Sequence, residues 1–493
     1  MPDAAVTFQS SKPAYKPAPN QSTKPKDKAG ATTSERAALP AITQLLAEFV
    51  VDSKWSDVPD PVRHDTRRSF VNIVGATIGG AADESIALSL KALDPFMGPR
   101  VATVIGRSET VDLPTAAYLN AISGNVLDFD DTHMPTLMHP GAPVLAPLLA
   151  WSQQTRVSGE ELLHAFALGM EVACRLGVAL YPQHYERGWH ITATCSVIGA
   201  AAAVGKLIGL DVEQMRNALG IAATQASGLV QNLSSMAKSV GVGNAARNGF
   251  MAAMYAQRDI DAAVDSLEGK HGFLQVTCDD PDMKVAIEGL GERWEVLNKC
   301  SKPYPCCALI FPVLDATLEL RWRETTHEPL HIDRIASVTV RGNPLMLVRA
   351  DRPAPATGRE AKLSVGHSVA VGLINGSAGV LDFLDSAVSD PVVAKLASKV
   401  RATADPSMAA DAAQVTVAFT DGRLVATRVD QCRGSPARPM TDQEVTDKTV
   451  ALIAWAAPQM KAEQLVRSLW TVDSIDDVGR LVTSMASPGT QAS

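Results

Sequence analysis

The stretch Asn125–Pro143, NVLDFDDTHMPTLMHPGAP, places Asp128, Asp130, Asp131, Thr132, His133 and His139 within twelve residues. Carboxylates and imidazoles at this density are suited to moving protons, because an imidazole can give or take one near neutral pH. Acids bunched so closely need an opposing charge. Two further titratable groups sit in small, apolar settings: His190 in GWHITAT and Lys238 in SMAKSVG. A histidine in such a setting is more often a satisfied core residue than a catalyst. A buried lysine is costly without a partner, so Lys238 carries more weight. Asp and His are also metal ligands. Neither a D-x-D-x-D-G loop nor H-E-x-x-H occurs, so no metal is expected. The plain alternative for the whole stretch is a capped, solvated helix end followed by a turn.

These side chains must be positioned by the surrounding elements. The run PTAAYLNAISGNVLDFDD has a helical pattern, and on a helix Asp128 and Thr132, four apart, share one face. A short hairpin is expected over VATVIGRSETVD, from Val101. Pro40 suits a first helical turn, and Pro61 opens a helix whose Arg63, Arg67 and Arg68 should face water while VNIVGATIGG faces the core. Ser158 with Glu161, and Asp211 with Gln214, have the spacing of capping boxes. Glu171, on an otherwise apolar helix, reads as a structural acid paired to a cation.

Beyond about residue 290 the pattern changes. IDRIASVTVRG and VTVAFTDGRLVATRV read as strands, the second folded at Asp421-Gly422 into a hairpin. AKLSVGHSVAVGLING and DPVVAKLASKV between them are helical, and the last fifty residues return to amphipathic helices. The expected fold class is therefore mainly α with an inserted α+β module. Its bounds are a tail over residues 1–38, a helical part over 39–290, the module over 291–435, and a second helical part over 436–493. The tail is rich in Pro, Lys, Ser and Thr and reads as disordered.

At 493 residues the chain can bury a large core, and its 46% hydrophobic and 20% charged residues are those of a globular protein. A net charge of −8 argues against nucleic-acid binding, which needs a basic face. Any acidic substrate must then be drawn by a local cluster of cations. The seven cysteines contain no C-x-x-C, which fits free thiols in a reducing compartment. No uncharged apolar run reaches about 18 residues, so no membrane span is expected. A cytoplasmic location follows, with mitochondrial import as the lesser alternative; the tail lacks Arg until Arg36.

Seven stretches, in order, resemble the MmgE/PrpD family, which includes 2-methylcitrate dehydratases and cis-aconitate decarboxylases. They are DFDDTH…HPGAP, GWHITATCSVIGAAAAVGKLIGL, ALGIAATQASGL, MAKSVGVGNAARNG, LEGKHGFL, KPYPCCA and RPAPATGREAKLS. The resemblance implies a two-domain architecture in which the C-terminal helices rejoin the first domain and the inserted module acts as a lid. It also implies a homodimer and a lyase that needs no cofactor and takes a small di- or tricarboxylic acid. The family's catalytic positions fall on Asp128, Thr132, His139, His190 and Lys238, each of the matching residue type. Tyr304, Cys307, Arg352 and Lys362 are the further candidates for holding substrate, with Lys362 and Ser364 expected on a lid helix. Two departures stand out. Many members carry His where this chain has Gly241, and some carry His at the place of Cys307 or Phe311.

The DFDDT form of the motif resembles the decarboxylase branch, so decarboxylation of an aconitate-like acid leads. Dehydration of a 2-methylcitrate-like acid uses the same parts in another order. Epimerisation, a non-catalytic carboxylate-binding protein of this fold, and an Asp-rich metal hydrolase are the remaining alternatives.

Overall fold

The computed structural model describes residues 41–325 and 330–487. Pro40 and the 1–38 tail lie outside the described residues. Most of the described residues are helical, and among them there are one four-stranded sheet and two short ribbons.

The first and larger core is built from helices before residue 296 and closed by helices after residue 440. Its centre is a stack of apolar helices made close by small residues. Helix Gly159–Leu180 crosses helix Ile191–Leu207 at Gly169 and Gly199. A Cβ on Gly169 would stand 2.6 Å from the Gly199 carbonyl oxygen, so the two backbones touch as only glycines allow. Helix Met236–Ala256 meets the same helix at Gly249, where a Cβ would lie 2.6 Å from the Val197 carbonyl. Helix Gly159–Leu180 is long and apolar enough to cross a membrane, a stretch the charge-free criterion passed over. It is instead a core helix, 94% buried within the protein, and its Glu171 and Arg175 pair with each other. Both expected capping boxes form, at Ser158–Glu161 and Asp211–Gln214.

Helix Asp442–Ala456 returns to lie on helix Asp60–Gly80, where Thr449 packs on Gly75 and Leu452 on Gly79. Arg67 and Arg68 do not simply face water, as their polarity suggested. Arg67 pairs with Asp473 at 2.7 Å and Arg68 with Asp442 at 2.6 Å, tying the first helices to the last.

Two ribbons shape the region of the acidic stretch. The expected hairpin forms from β1 (Ala102–Thr103) and β2 (Thr110–Val111). Strand β3 (Asp131–His133) pairs antiparallel with β4 (Lys299–Ser301), Thr132 opposite Cys300. The second core follows, spanning residues 300–432. Its sheet runs β6 (Val400–Ala404), β5 (Ile335–Gly342), β7 (Ala413–Phe419), β8 (Leu424–Val429). Only the β5–β6 pair is parallel; β7 and β8 form the Asp421-Gly422 hairpin. Helices Phe311–Glu324 and Val365–Asn375 belong to the same core.

Candidate active site

Helix Leu113–Val126 ends before the acidic stretch does. Asp128 takes a left-handed conformation, φ 55°, and the chain then extends into β3. Asp128 and Thr132 are therefore not on one helix face; a turn and a strand place them. Asp tolerates the left-handed region because its short side chain can bond locally. The β3–β4 pairing brings Lys302 alongside, and its backbone N–H donates to the Asp130 carbonyl at 3.2 Å.

The result is a buried charge cluster. Lys302 donates to Asp128 Oδ1 at 2.7 Å and Lys238 to the same oxygen at 2.9 Å. Burial alone would raise the Asp128 pKa. Lys238, Lys302 and His139 overcome it and hold the carboxyl well below its usual range. For Lys302, burial works against the charge, but Asp128 and Asp130 raise its pKa. Asp130 accepts from Asn125 Nδ2 at 2.9 Å, and its other oxygen lies 3.7 Å from Lys302 and 3.6 Å from His139. Asp131 points elsewhere and accepts the Gly141 N–H at 3.0 Å. Burial pushes its pKa up to about 6, against the pull of Lys299.

His139 has a defined tautomer. Its Nδ1 lies 2.8 Å from the Asp131 carbonyl oxygen, which can only accept, so Nδ1 carries the hydrogen. Thr132 Oγ1 lies 3.1 Å from the same nitrogen. The lone pair of Nε2 then faces Asp128, 3.8 Å away. Burial, then Lys302, pushes the His139 pKa down to about 4, with Asp130 pulling the other way. His190, at the N-terminus of helix Ile191–Leu207, has no side-chain capping bond. Burial, Lys238 and His139 bring its pKa to about 3. Both imidazoles are thus neutral proton acceptors at pH 7.

One cavity is lined by Asp128, Thr132, His139, His190 and Lys238, all five of the catalytic candidates. Tyr185, Cys307 and Arg349 add polar groups, and Leu137, Leu233, Ala308 and Leu363 an apolar wall. The lining draws on both cores: Tyr185 packs against the first, and Leu137, Cys307 and Ala308 belong with the second. Of the other candidates, Cys307 lines the cavity and the rest do not. Tyr304 donates its hydroxyl to Asp315 at 2.6 Å and is occupied there. Arg352 is exposed. Lys362 lies just behind the cavity and donates to the Val126 carbonyl at 3.0 Å. Burial lowers its pKa to about 8, with Asp128 opposing. Lys362 and Ser364 flank the junction of two helices, Gly358–Ala361 and Val365–Asn375, and sit inside neither. Gly241, where many family members carry His, faces Ala193.

His133 turns away from the cavity, 2.8 Å from Thr136 Oγ1 and 3.4 Å from Glu295, and reads as structural. Three residues escaped the sequence reading. Lys302 opens the KPYPCCA motif, and Arg349 precedes Arg352 by three positions, so a local signal marks both. Lys448, on helix Asp442–Ala456, donates to Asn72 Oδ1, the Phe129 carbonyl and the Lys302 carbonyl, at 2.7–2.8 Å. No local pattern marks it.

Donor atoms of Asp128, Asp130 and His139 lie within 4.8 Å of one another, a spacing a metal could use. Lys238 and Lys302 already crowd the Asp128 oxygen that would be its ligand. A divalent ion there would meet two ammonium groups, so the donor set fits a lysine-neutralised carboxylate better than a metal site.

Two domain models and several curated proteins match the chain. The MmgE/PrpD N-terminal domain matches residues 44–286 and the MmgE/PrpD C-terminal domain residues 304–471. Cis-aconitate decarboxylase of Aspergillus terreus is 25% identical over 485 residues, covering 92% of this chain and 98% of its own. The Homo sapiens enzyme of that name is 25% identical over 462 residues, covering 91% and 95%. That of Mus musculus is 25% identical over 466 residues, covering 92% and 95%.

Proposed function

The chain belongs to the MmgE/PrpD family, and we propose that it is a cofactor-independent carboxy-lyase acting on a tricarboxylic acid of the cis-aconitate type. Family and relatives support a lyase-type enzyme. The observation that carries the narrower reading is the cavity itself, where Asp128, Thr132, His139, His190 and Lys238 converge. Lys238, Lys302, Lys362 and Arg349 outnumber Asp128 and Asp130 around it, so a polyanion is favoured in a protein whose overall charge is −8.

In the proposed reaction a proton adds to the alkene CH carbon, the one not joined to the methylene. The alkene electrons form the new C–H bond. The bond from the neighbouring methylene to its own carboxylate breaks, its electrons become the new double bond, and carbon dioxide leaves. One proton is consumed and one carbon dioxide released. With both imidazoles neutral, the ammonium of Lys238 is the protonated acid already facing the cavity, and Asp128 holds it in place at 2.9 Å. His139 and His190 gain proton affinity when a polyanion binds beside them, and Thr132 offers a hydroxyl to a substrate carboxylate. Charge building on the substrate during bond cleavage is stabilised by fixed cations, which need no reorganisation.

The reading extends to a homodimer. Tyr255, Ile260, Val264 and Val276 are exposed apolar side chains close together in sequence, and Tyr255 and Val276 border one large surface groove. Light scattering of the purified chain tests this.

The reaction is tested by offering cis-aconitate, trans-aconitate, citrate and 2-methylcitrate separately and following carbon dioxide. Release from cis-aconitate alone is expected. Loss of water from 2-methylcitrate without carbon dioxide would replace this reading with a hydro-lyase.

A further inference from the structure

Arg349 closes helix Pro344–Ala350 and lines the same cavity as Asp128 and Lys238. Its guanidinium carbon stands 3.9 Å from the ring centre of Tyr185 and 5.5 Å from that of Tyr181. Its Nη1 is shielded from solvent and has no hydrogen-bond partner, and no ion pair to Arg349 occurs among the described residues. Lys238 and Lys302, by contrast, are both committed to Asp128. The side chain as a whole is only partly buried, but a shielded N–H without an acceptor is costly. Two aromatic faces offset part of that cost and fix the plane of the group. What they leave open is the fork of N–H donors, which matches a carboxylate with two parallel hydrogen bonds.

We propose that Arg349 is a specificity-determining residue that receives one substrate carboxylate, selecting acids with a third carboxylate over analogues that carry an apolar group there. This rests on the reading of the cavity as a polycarboxylate site. It divides the labour between the cores: the first supplies the proton-moving groups, and the second supplies the arginine that receives the carboxymethyl arm, whose carboxylate is the one lost as carbon dioxide. Tyr185 and Tyr181 act as positioning residues, holding the guanidinium without touching the reaction.

The test compares the dissociation constants of cis-aconitate and citraconate, in which a methyl replaces the carboxymethyl arm, for the full-length protein. Wild type, Arg349→Met and Arg349→Lys are measured by calorimetry. Arg349→Met should weaken cis-aconitate by roughly tenfold or more, the usual worth of a hydrogen bond to a charged group, and leave citraconate nearly unchanged. Arg349→Lys should fall between, because it keeps the charge but loses the fork and the stacking. The ratio between the two acids is the decisive readout, since a merely loosened fold weakens both alike. Equal loss for both acids, or none for either, overturns the assignment to Arg349. If Arg349→Met fails to fold, Arg349→Lys supplies the same ratio. Wild-type protein that binds neither acid, with Lys238→Ala no different, would instead remove the polycarboxylate reading, and the assignment with it.

Discussion

Lys302 Nζ lies 2.7 Å from Asp128 Oδ1, and both residues are buried. The pair joins the left-handed turn after helix Leu113–Val126 to the strand that leads into the second core. It is the fixed point from which Lys238 and His139 take their places, since both approach the same carboxylate oxygen.

Breaking this pair should cost stability as well as activity. Lys302→Met removes a buried partner, and losses of about 3–5 kcal/mol are usual in that situation. Asp128 keeps Lys238 as a partner at 2.9 Å in that variant, so adding Asp128→Asn strands the lysine and should recover neither stability nor turnover. Urea unfolding beside a turnover assay checks this, and a double variant clearly more stable than Lys302→Met would contradict it.

Five buried histidines should make the protein sensitive to acid. Burial is the main cause in each, and it lowers the pKa from 6.5 to about 3 in His133 and His190 and to about 4 in His139, His164 and His184. Below pH 6.5 the unfolded chain binds protons at these positions and the folded chain does not, so stability rises with pH there. Each contributes on the order of 1 kcal/mol per pH unit until its folded value is reached. Asp131, raised to about 6, works the other way, protonating first in the folded state. Burial raises Glu171 and Asp351 as well, but three carboxyls against five histidines do not reverse the trend. Denaturant midpoints measured from pH 7.5 to 4.5 should fall steadily below about 6.5; a flat profile would contradict the neutral state of these rings.

The close helix crossing should resist any side chain. At Gly199 a Cβ would lie 2.5 Å from the Gly169 carbonyl oxygen. Gly199→Ala is expected to cost roughly 1–3 kcal/mol through forced backbone movement. Gly241→Ala, whose nearest neighbour is Ala193 at 3.7 Å, should be neutral or gain up to about 1 kcal/mol from helix propensity. Thermal unfolding of the two variants gives the comparison.

Much of this was legible in the sequence, and the reasons differ by element. The capping boxes and the Asp421-Gly422 hairpin are local devices, so their residues announce them. Glu171 could be read as a paired acid because no lone charge persists in an apolar helix, and Arg175 at 2.6 Å is its partner. The helix face expected for Asp128 and Thr132 failed because the left-handed turn at Asp128 is stabilised by contacts from Lys238 and Lys302, far away in the chain. Lys448 was invisible for the same reason: its three partners come from residues 72, 129 and 302. The resemblance located five cavity residues, but it could not tell Arg349 from Arg352, because that choice depends on which way a short helix turns.

Chelation offers a simple check on the charge cluster. If Lys238 and Lys302 supply the positive charge beside Asp128, dialysis against EDTA should leave turnover unchanged. Activity lost on dialysis and restored by a divalent ion would mean that Asp128, Asp130 and His139 act as ligands.

Proton delivery to the alkene carbon is the central claim, and proton NMR of the product formed in heavy water tests it most directly. Cis-aconitate should yield carbon dioxide and a product carrying one deuterium, at the carbon that was the alkene CH. Lys238→Ala should abolish both. Carbon dioxide without deuterium at that carbon, or an acid that gains or loses water and keeps all its carboxylates, would contradict the account.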